Sequence, residues 1–228
     1  MKNYLVIGGS SGIGLSLVLQ LLQQNHQVFV ISRQKKELPS HGQLKHIEAD
    51  ITKTLPEITE PLDGLVYLPG TITLKPFGSL KKEDFLHDFE INVLGAFESI
   101  SRYLPNLKSQ ESSIVLISSV AASKGFPFHA SIASAKAALE GLTKSCAAEF
   151  APKIRVNCIA PSLTETPLTS SLLSSTEKKI GLDKKHPLQR IGKPEDISSM
   201  ICYLLSDHSK WITGQIFHVD GGMSTLSL

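Results

Sequence analysis

The sequence predicts an α/β domain, a doubly wound parallel sheet of about seven strands with helices on both faces. Three observations carry that reading. Short apolar runs rich in Val, Ile and Leu recur along the 228 residues, longer segments with three- and four-residue apolar spacing lie between them, and a glycine-rich turn joins the first run to the first such segment. Continuous apolar runs, unlike alternating ones, suit strands buried on both faces.

In chain order, NYLVIGG (3–9) is the first strand, 13–24 the first helix, and HQVFVIS (26–32) and KHIEA (45–49) the second and third strands. The connections 33–44 and 51–62 are short and carry prolines, leaving room for a turn or two of helix in each. DGLVYLP (63–69) is the fourth strand, 84–103 a helix, SIVLISS (113–119) the fifth strand and 132–150 a helix. IRVNCIA (154–160) is the sixth strand, 195–205 the last helix and QIFHVDG (215–221) the seventh strand. The polar stretch 162–187, rich in Ser, Thr and Lys, reads as a mobile lid or as a solvated surface loop. With no internal repeat and 41% hydrophobic residues, residues 1–228 fit one domain with a sizeable core.

Composition excludes several classes. The formal net charge is +2, and the pairs Lys35-Lys36, Lys81-Lys82, Lys178-Lys179 and Lys184-Lys185 are scattered, so no nucleic-acid partner is expected. No apolar run approaches the roughly 18 residues of a membrane span, and the first apolar run is too short for a signal-peptide core, so a cytoplasmic protein without membrane contact is expected. Cys146, Cys158 and Cys202 are far apart within apolar segments and read as buried free thiols. The eight histidines show no HxxxH spacing, and no metal site is expected.

The first strand runs into GGSSGIG, which places Gly8, Ser10, Ser11, Gly12, Ile13 and Gly14 at the start of the first helix. Glycine lets the backbone turn tightly and approach a pyrophosphate, and the first helical turn stabilises its charge with free amides. In a strand-turn-helix setting this is a dinucleotide-binding signature of Rossmann type. At the end of the second strand, where a carboxylate would bind the ribose hydroxyls of NAD, stand Ser32 and Arg33. A guanidinium suits a ribose phosphate, so NADP(H) is expected in preference to NAD(H), although Arg33 alone also reads as a surface charge.

With these pieces placed, the chain resembles the short-chain dehydrogenase/reductase family, in the branch that includes the ketoacyl reductases of fatty-acid synthesis. The resemblance rests on GGSSGIG, Asp50-Ile51 after the third strand, INVLGAF around Asn92, IVLISS ending at Ser119, Lys136, VNCIAPSLTETPL (156–168), HPLQRIGKPEDI (186–197) and WITGQIFHVDGG (211–222). It implies adenine contacts at Asp50 and Ile51, contacts to the nicotinamide half around Pro161, Thr164 and Thr166, and a homotetramer or homodimer built from the helices near 84–107 and 132–150. It also implies catalytic roles for three residues. Ser119 would hold a substrate oxygen, Lys136 would bind the nicotinamide ribose, and Asn92 would anchor a water behind the lysine. Ser119 also reads as a strand-end cap and Asn92 as a structural hydrogen-bonding residue.

The chain departs from the family at the acid. Aligned on Lys136, the family's tyrosine falls at Ile132, which has no proton to give. His129, Ser131, Ser134 and a water held by Ser119 are the alternative donors. His129 stands out because it lies seven residues before Lys136, as in the Tyr-x6-Lys pattern of enoyl reductases, although it also reads as a loop residue. The family's Asn-Asn-Ala-Gly is here Tyr67-Leu68-Pro69-Gly70, with Gly70 retained beside the cofactor, and its Pro-Gly is Pro161-Ser162. The resulting expectation is an NADP(H)-dependent oxidoreductase that reduces a carbonyl or activated C=C of a small molecule with an altered proton donor. The alternative is an NADP(H)-binding pseudoenzyme acting as sensor or partner subunit.

Overall fold

The computed structural model describes residues 1–107 and 111–227. All seven expected strands form, as β1 (Asn3–Ile7), β2 (Gln27–Ser32), β3 (Leu44–Glu48), β4 (Gly64–Tyr67), β5 (Ser112–Ile117), β6 (Ile154–Pro161) and β7 (Ile216–Val219). They make one sheet in the order β3-β2-β1-β4-β5-β6-β7, with every pairing parallel. The chain winds outward from β1 in one direction and from β4 in the other, so β1 and β4 flank the switch point where a crevice opens beyond the strand ends.

Alternate residues of each central strand feed two cores, which is why the strands read as unbroken apolar runs. Leu5, Ile7, Leu65 and Leu116 pack with Ile100, Tyr103 and Leu139 on one face, under α3 (Gly95–Tyr103) and α4 (Ala130–Phe150). Tyr4, Val6, Val66 and Val115 pack with Leu17, Leu21, Ile197 and Ile201 on the other, under α1 (Gly12–Gln23) and α6 (Pro194–Leu205). The connections after β2 and β3 carry no helix. Among the described residues, no helix is long and apolar enough to cross a membrane.

Two expectations need correction. The continuous helix read over 84–103 is broken into α2 (Lys82–Phe89), a π-helical turn (Glu90–Leu94) and α3. The break has a local cause: the Tyr67 hydroxyl donates to the Ile91 carbonyl at 2.6 Å and the Asn92 amide to the Asp88 carbonyl at 2.7 Å, so side chains take carbonyls from the helical ladder. The stretch 162–187 is also more ordered than its polar composition suggests, with a 3₁₀ segment (Pro167–Leu173) and α5 (Thr176–Asp183). Ser175 caps α5 by accepting from the Lys178 amide at 3.3 Å.

Candidate active site

A cleft of about 980 Å³ runs along the carboxyl ends of the strands, and the sequence-nominated site residues line it except Asn92, which is fully buried behind it, and the alternative donors Ser131 and Ser134. At one end lies the glycine turn. Gly8 and Gly12 have φ of +83° and +52°, a region open to glycine and costly for other residues, and a Cβ on Gly14 would run into the Gly8 carbonyl oxygen. Ser11 is the N-cap of α1 and makes no side-chain cap bond, so the first amides of the helix stay open to a ligand. The group a dinucleotide brings here, a pyrophosphate, fits this cradle because no side chain fills it.

Next along the cleft, Arg33 and Lys36 are exposed on its wall. The Ser32 hydroxyl donates to the Gln34 carbonyl at 2.9 Å and meets His46 Nε2 at 2.9 Å, which fixes the end of β2. The Thr52 hydroxyl and amide bond Asp50 Oδ1 at 2.8 and 3.1 Å, and they hold the carboxyl below the usual carboxylate range. Ile51 stands beside it on the same wall. Across the cleft, the loop after β6 carries Pro161, Thr164 and Thr166. Thr169 locks this loop by donating to the Thr164 carbonyl at 2.6 Å, and Thr166 lies so close to the glycine turn that a Cβ on Gly12 would stand 3.2 Å from it.

The other end is built from β4, β5, α2, α4 and the π-helical turn. Lys136 is buried and donates to the Ile117 carbonyl at 2.7 Å, and desolvation lowers its pKa to about 8, opposed by Cys158 and Asp88. Gly70 sits between this lysine and Asn92: a Cβ there would lie 3.1 Å from Asn92 Oδ1 and 3.5 Å from Lys136 Nζ. Asn92 donates to the Thr71 hydroxyl at 2.8 Å and to the Asp88 carbonyl, while its buried Oδ1 has no hydrogen-bond partner. Ser119 accepts from the Ala121 amide at 3.2 Å, capping a 3₁₀ turn, which leaves its own proton free for an acceptor in the cleft. The capping and the cleft-facing readings of Ser119 are therefore compatible.

Ile132 is 5% exposed and lines this end, so an apolar wall stands at the position where the resemblance leads one to expect an acid. His129 lies at the N-cap of α4, with Nδ1 2.7 Å from the Pro127 carbonyl and its ring 5.4 Å from that of Phe126. Because a carbonyl only accepts, Nδ1 carries the hydrogen, and Nε2 bears a proton only when the ring is cationic. Ser134 bonds the Ala130 carbonyl on the exposed face of α4, away from the cleft lining. Ser131 turns inward to Asp88 Oδ2 at 2.6 Å.

Two groups at this end escaped the sequence reading. Asp88 has no exposed surface, and its carboxylate accepts from Thr71 at 2.5 Å, Thr73 at 2.8 Å and Ser131. Thr71 lines the cleft. The available signal was positional: Asp88 and Asn92 are four apart and share the inner face of one helical segment.

Fold and cleft together define a dinucleotide-binding domain with a polar site at the switch point of its sheet. A family model described as enoyl-(acyl carrier protein) reductase matches residues 8–224. The chain is 34% identical over 242 residues to the 3-oxoacyl-(acyl-carrier-protein) reductase FabG of Staphylococcus aureus, covering 97% of this chain and 98% of that protein. Among solved structures it is similar to a short chain dehydrogenase family protein from Francisella tularensis, with 30% identity, a TM-score of 0.89 and coverage of 99% and 100% of the two chains. It is also similar to ElxO with NADP bound, with 28% identity, a TM-score of 0.87 and the same coverage. The chain belongs to the short-chain dehydrogenase/reductase family of oxidoreductases.

Proposed function

We propose that the protein is an NADP(H)-dependent reductase acting on a carbonyl or activated C=C of a small molecule, with the proton supplied by a group other than residue 132. The observation that carries this reading is one continuous cleft with the cations Arg33 and Lys36 at one end and Ser119 with Lys136 at the other. The glycine turn would hold the pyrophosphate, Ser32 and Arg33 the ribose phosphate, Asp50 and Ile51 the adenine. Gly70, Lys136, Pro161, Thr164 and Thr166 would hold the nicotinamide half. The bound cofactor supplies hydride. Ser119 then orients the substrate oxygen with its free O–H, and Lys136 has two N–H groups left for ribose hydroxyls once Ile117 has taken one. ElxO, whose structure contains NADP, and FabG, named for a 3-oxoacyl substrate, support the cofactor and the carbonyl chemistry.

His129 is the donor that the sequence nominates. The second reading, a pseudoenzyme that binds NADP(H) without turnover, is favoured by one observation, the buried Ile132 in the place of an acid. We further propose a homo-oligomer, since Phe85, Phe89, Leu94 and Phe97 form an exposed apolar strip along α2, the π-helical turn and α3. Light scattering that shows only monomer at micromolar concentration would count against it.

The test has two arms. Calorimetric titration with NADPH and NADH should give tighter binding of NADPH, and equal affinities would sink the cofactor assignment. A panel of ketones and enones with NADPH should then yield turnover; tight binding with none favours the pseudoenzyme.

A further inference from the structure

We infer that Thr71 and Asp88 form the proton route of this site, with Thr71 facing the reacting oxygen and Asp88 receiving or supplying the proton behind it. The inference rests on the reductase reading, and it assigns the role that the sequence offered to His129.

The argument begins with burial. Asp88 has no exposed surface, and among the described residues no Lys or Arg pairs with its carboxylate; three hydroxyls solvate it instead. A carboxylate so placed is costly to bury, so its presence one hydroxyl behind the wall of a cleft calls for a use. Two of its three partners lead nowhere chemical. Ser131 is itself buried and does not line the cleft, and the same holds for the lining at Thr73. Thr71 does line it.

The hydrogen-bond count at Thr71 then fixes the direction. A threonine hydroxyl has one proton to donate and two lone pairs to accept with. The proton goes to Asp88 Oδ1 at 2.5 Å, the length of a charge-assisted O–H···O⁻ bond. One lone pair takes the Asn92 amide at 2.8 Å. The other is left for a donor, and an alcohol in the cleft is such a donor. The arrangement is therefore a base poised for oxidation. With a bound oxidised cofactor as the hydride acceptor for the carbinol C–H, the alcohol O–H proton would pass to Thr71 Oγ while the Thr71 proton passes to Asp88, leaving ketone and a carboxylic acid. Reduction runs the same steps backwards: the carboxylic acid protonates Thr71, Thr71 protonates the carbonyl oxygen, and hydride arrives at carbon. Asp88 is reset through Thr71 by solvent once product has left. The route serves an oxygen, so it assigns the site to carbonyl/alcohol interconversion and not to C=C reduction.

The charged group that Asp88 acts on is Lys136 on α4, whose ammonium it favours. Asp88 is a positioning and proton-holding residue; Thr71 is the one that touches the reacting atoms.

The test uses the full chain with cyclohexanone and the ketone from the panel that turns over fastest, each with NADPH. Asp88→Asn and Thr71→Val should each lower kcat by at least about 100-fold with NADPH affinity within a few-fold, and Thr71→Ser should restore most of the rate. A merely structural clamp would not respond to Thr71→Ser in this way, nor lose kcat while folding and binding normally. An Asp88→Asn rate within a few-fold of wild type, or a His129→Ala variant that takes the loss, overturns the inference. A second readout needs no substrate. In infrared difference spectra of the ligand-free protein taken across pH, wild type should show a carboxylic C=O band absent from Asp88→Asn and shifted in Thr71→Val. No such difference at any pH where the protein stays folded overturns the route, whereas that band in a protein without turnover points to failure of the reductase reading alone.

Discussion

The two ends of the cleft are built by different means. The cofactor end is made of backbone: Gly8 and Gly12 supply left-handed turns, Gly14 lets α1 lie on the turn, and the helix offers its open amides. The substrate end is made of side chains drawn from β4, β5, α2, α4 and the π-helical turn, meeting around Gly70. A backbone site tolerates drift in its surroundings. Under the proposed reading, Ser119, Asn92 and Lys136 form a side-chain frame in which a single position, Ile132, departs from the acid that the resemblance implies.

The largest effect should come from restoring what that end lacks. Ile132→Tyr places a phenol near Ser119 and Lys136, and ketone reduction should rise by about 10² to 10⁴-fold, the usual range for a positioned general acid. Because Ile132 is 5% exposed, the added volume must be checked by thermal unfolding, and a folded variant without gain would show that the two ends are not aligned as in the family.

Lys136 gives the next effect, on stability. Its folded pKa, about 8, lies below the ordinary lysine value of 10.5, so burying the ammonium carries a cost that is present in full below pH 8 and relieved as pH rises toward 10.5. The shift corresponds to roughly 3 kcal/mol at most. The thiols of buried Cys146 and Cys158, and of Cys202, which is half-buried where the sequence suggested full burial, are pushed up and act in the opposite sense above about pH 8.5, so the informative quantity is a difference. Urea unfolding should show wild type gaining on Lys136→Met between pH 8 and pH 10; parallel profiles would contradict the buried ammonium.

At the cofactor end the effects are smaller. Arg33→Asp should erase or reverse the preference for NADPH, a change of about tenfold to a hundredfold for one charge-assisted contact. Gly14→Ala should destabilise the fold by about 1–3 kcal/mol, since the added methyl meets the Gly8 carbonyl, and should weaken either cofactor alike. Equal loss for NADPH and NADH separates the turn from the specificity contact.

This contrast also explains what the sequence disclosed. The strands were legible because each feeds two cores, and the glycine turn because its constraint is local to seven residues, GGSSGIG. Ser119, Asn92 and Lys136 were legible through the spacing of a resemblance. The π-helical turn was not, because it depends on Tyr67 reaching the Ile91 carbonyl from the end of β4, 24 positions away. Asp88 and Thr71 were hidden for the same reason: a carboxylate and a hydroxyl 17 positions apart are ordinary surface residues until the fold buries one against the other. Lys36 escaped because its place beside Arg33 follows from the turn after β2, where it adopts φ +47°.

The central claim, hydride chemistry without an acid at position 132, is tested most directly by isotope transfer. Wild-type protein is incubated with NADPH carrying deuterium at the transferable C4 position and with the ketone panel, and products are read by mass spectrometry. The account predicts deuterium on the carbinol carbon of at least one product, with no transfer when protein is left out. NADPH bound tightly and returned with its label intact from every ketone would contradict it.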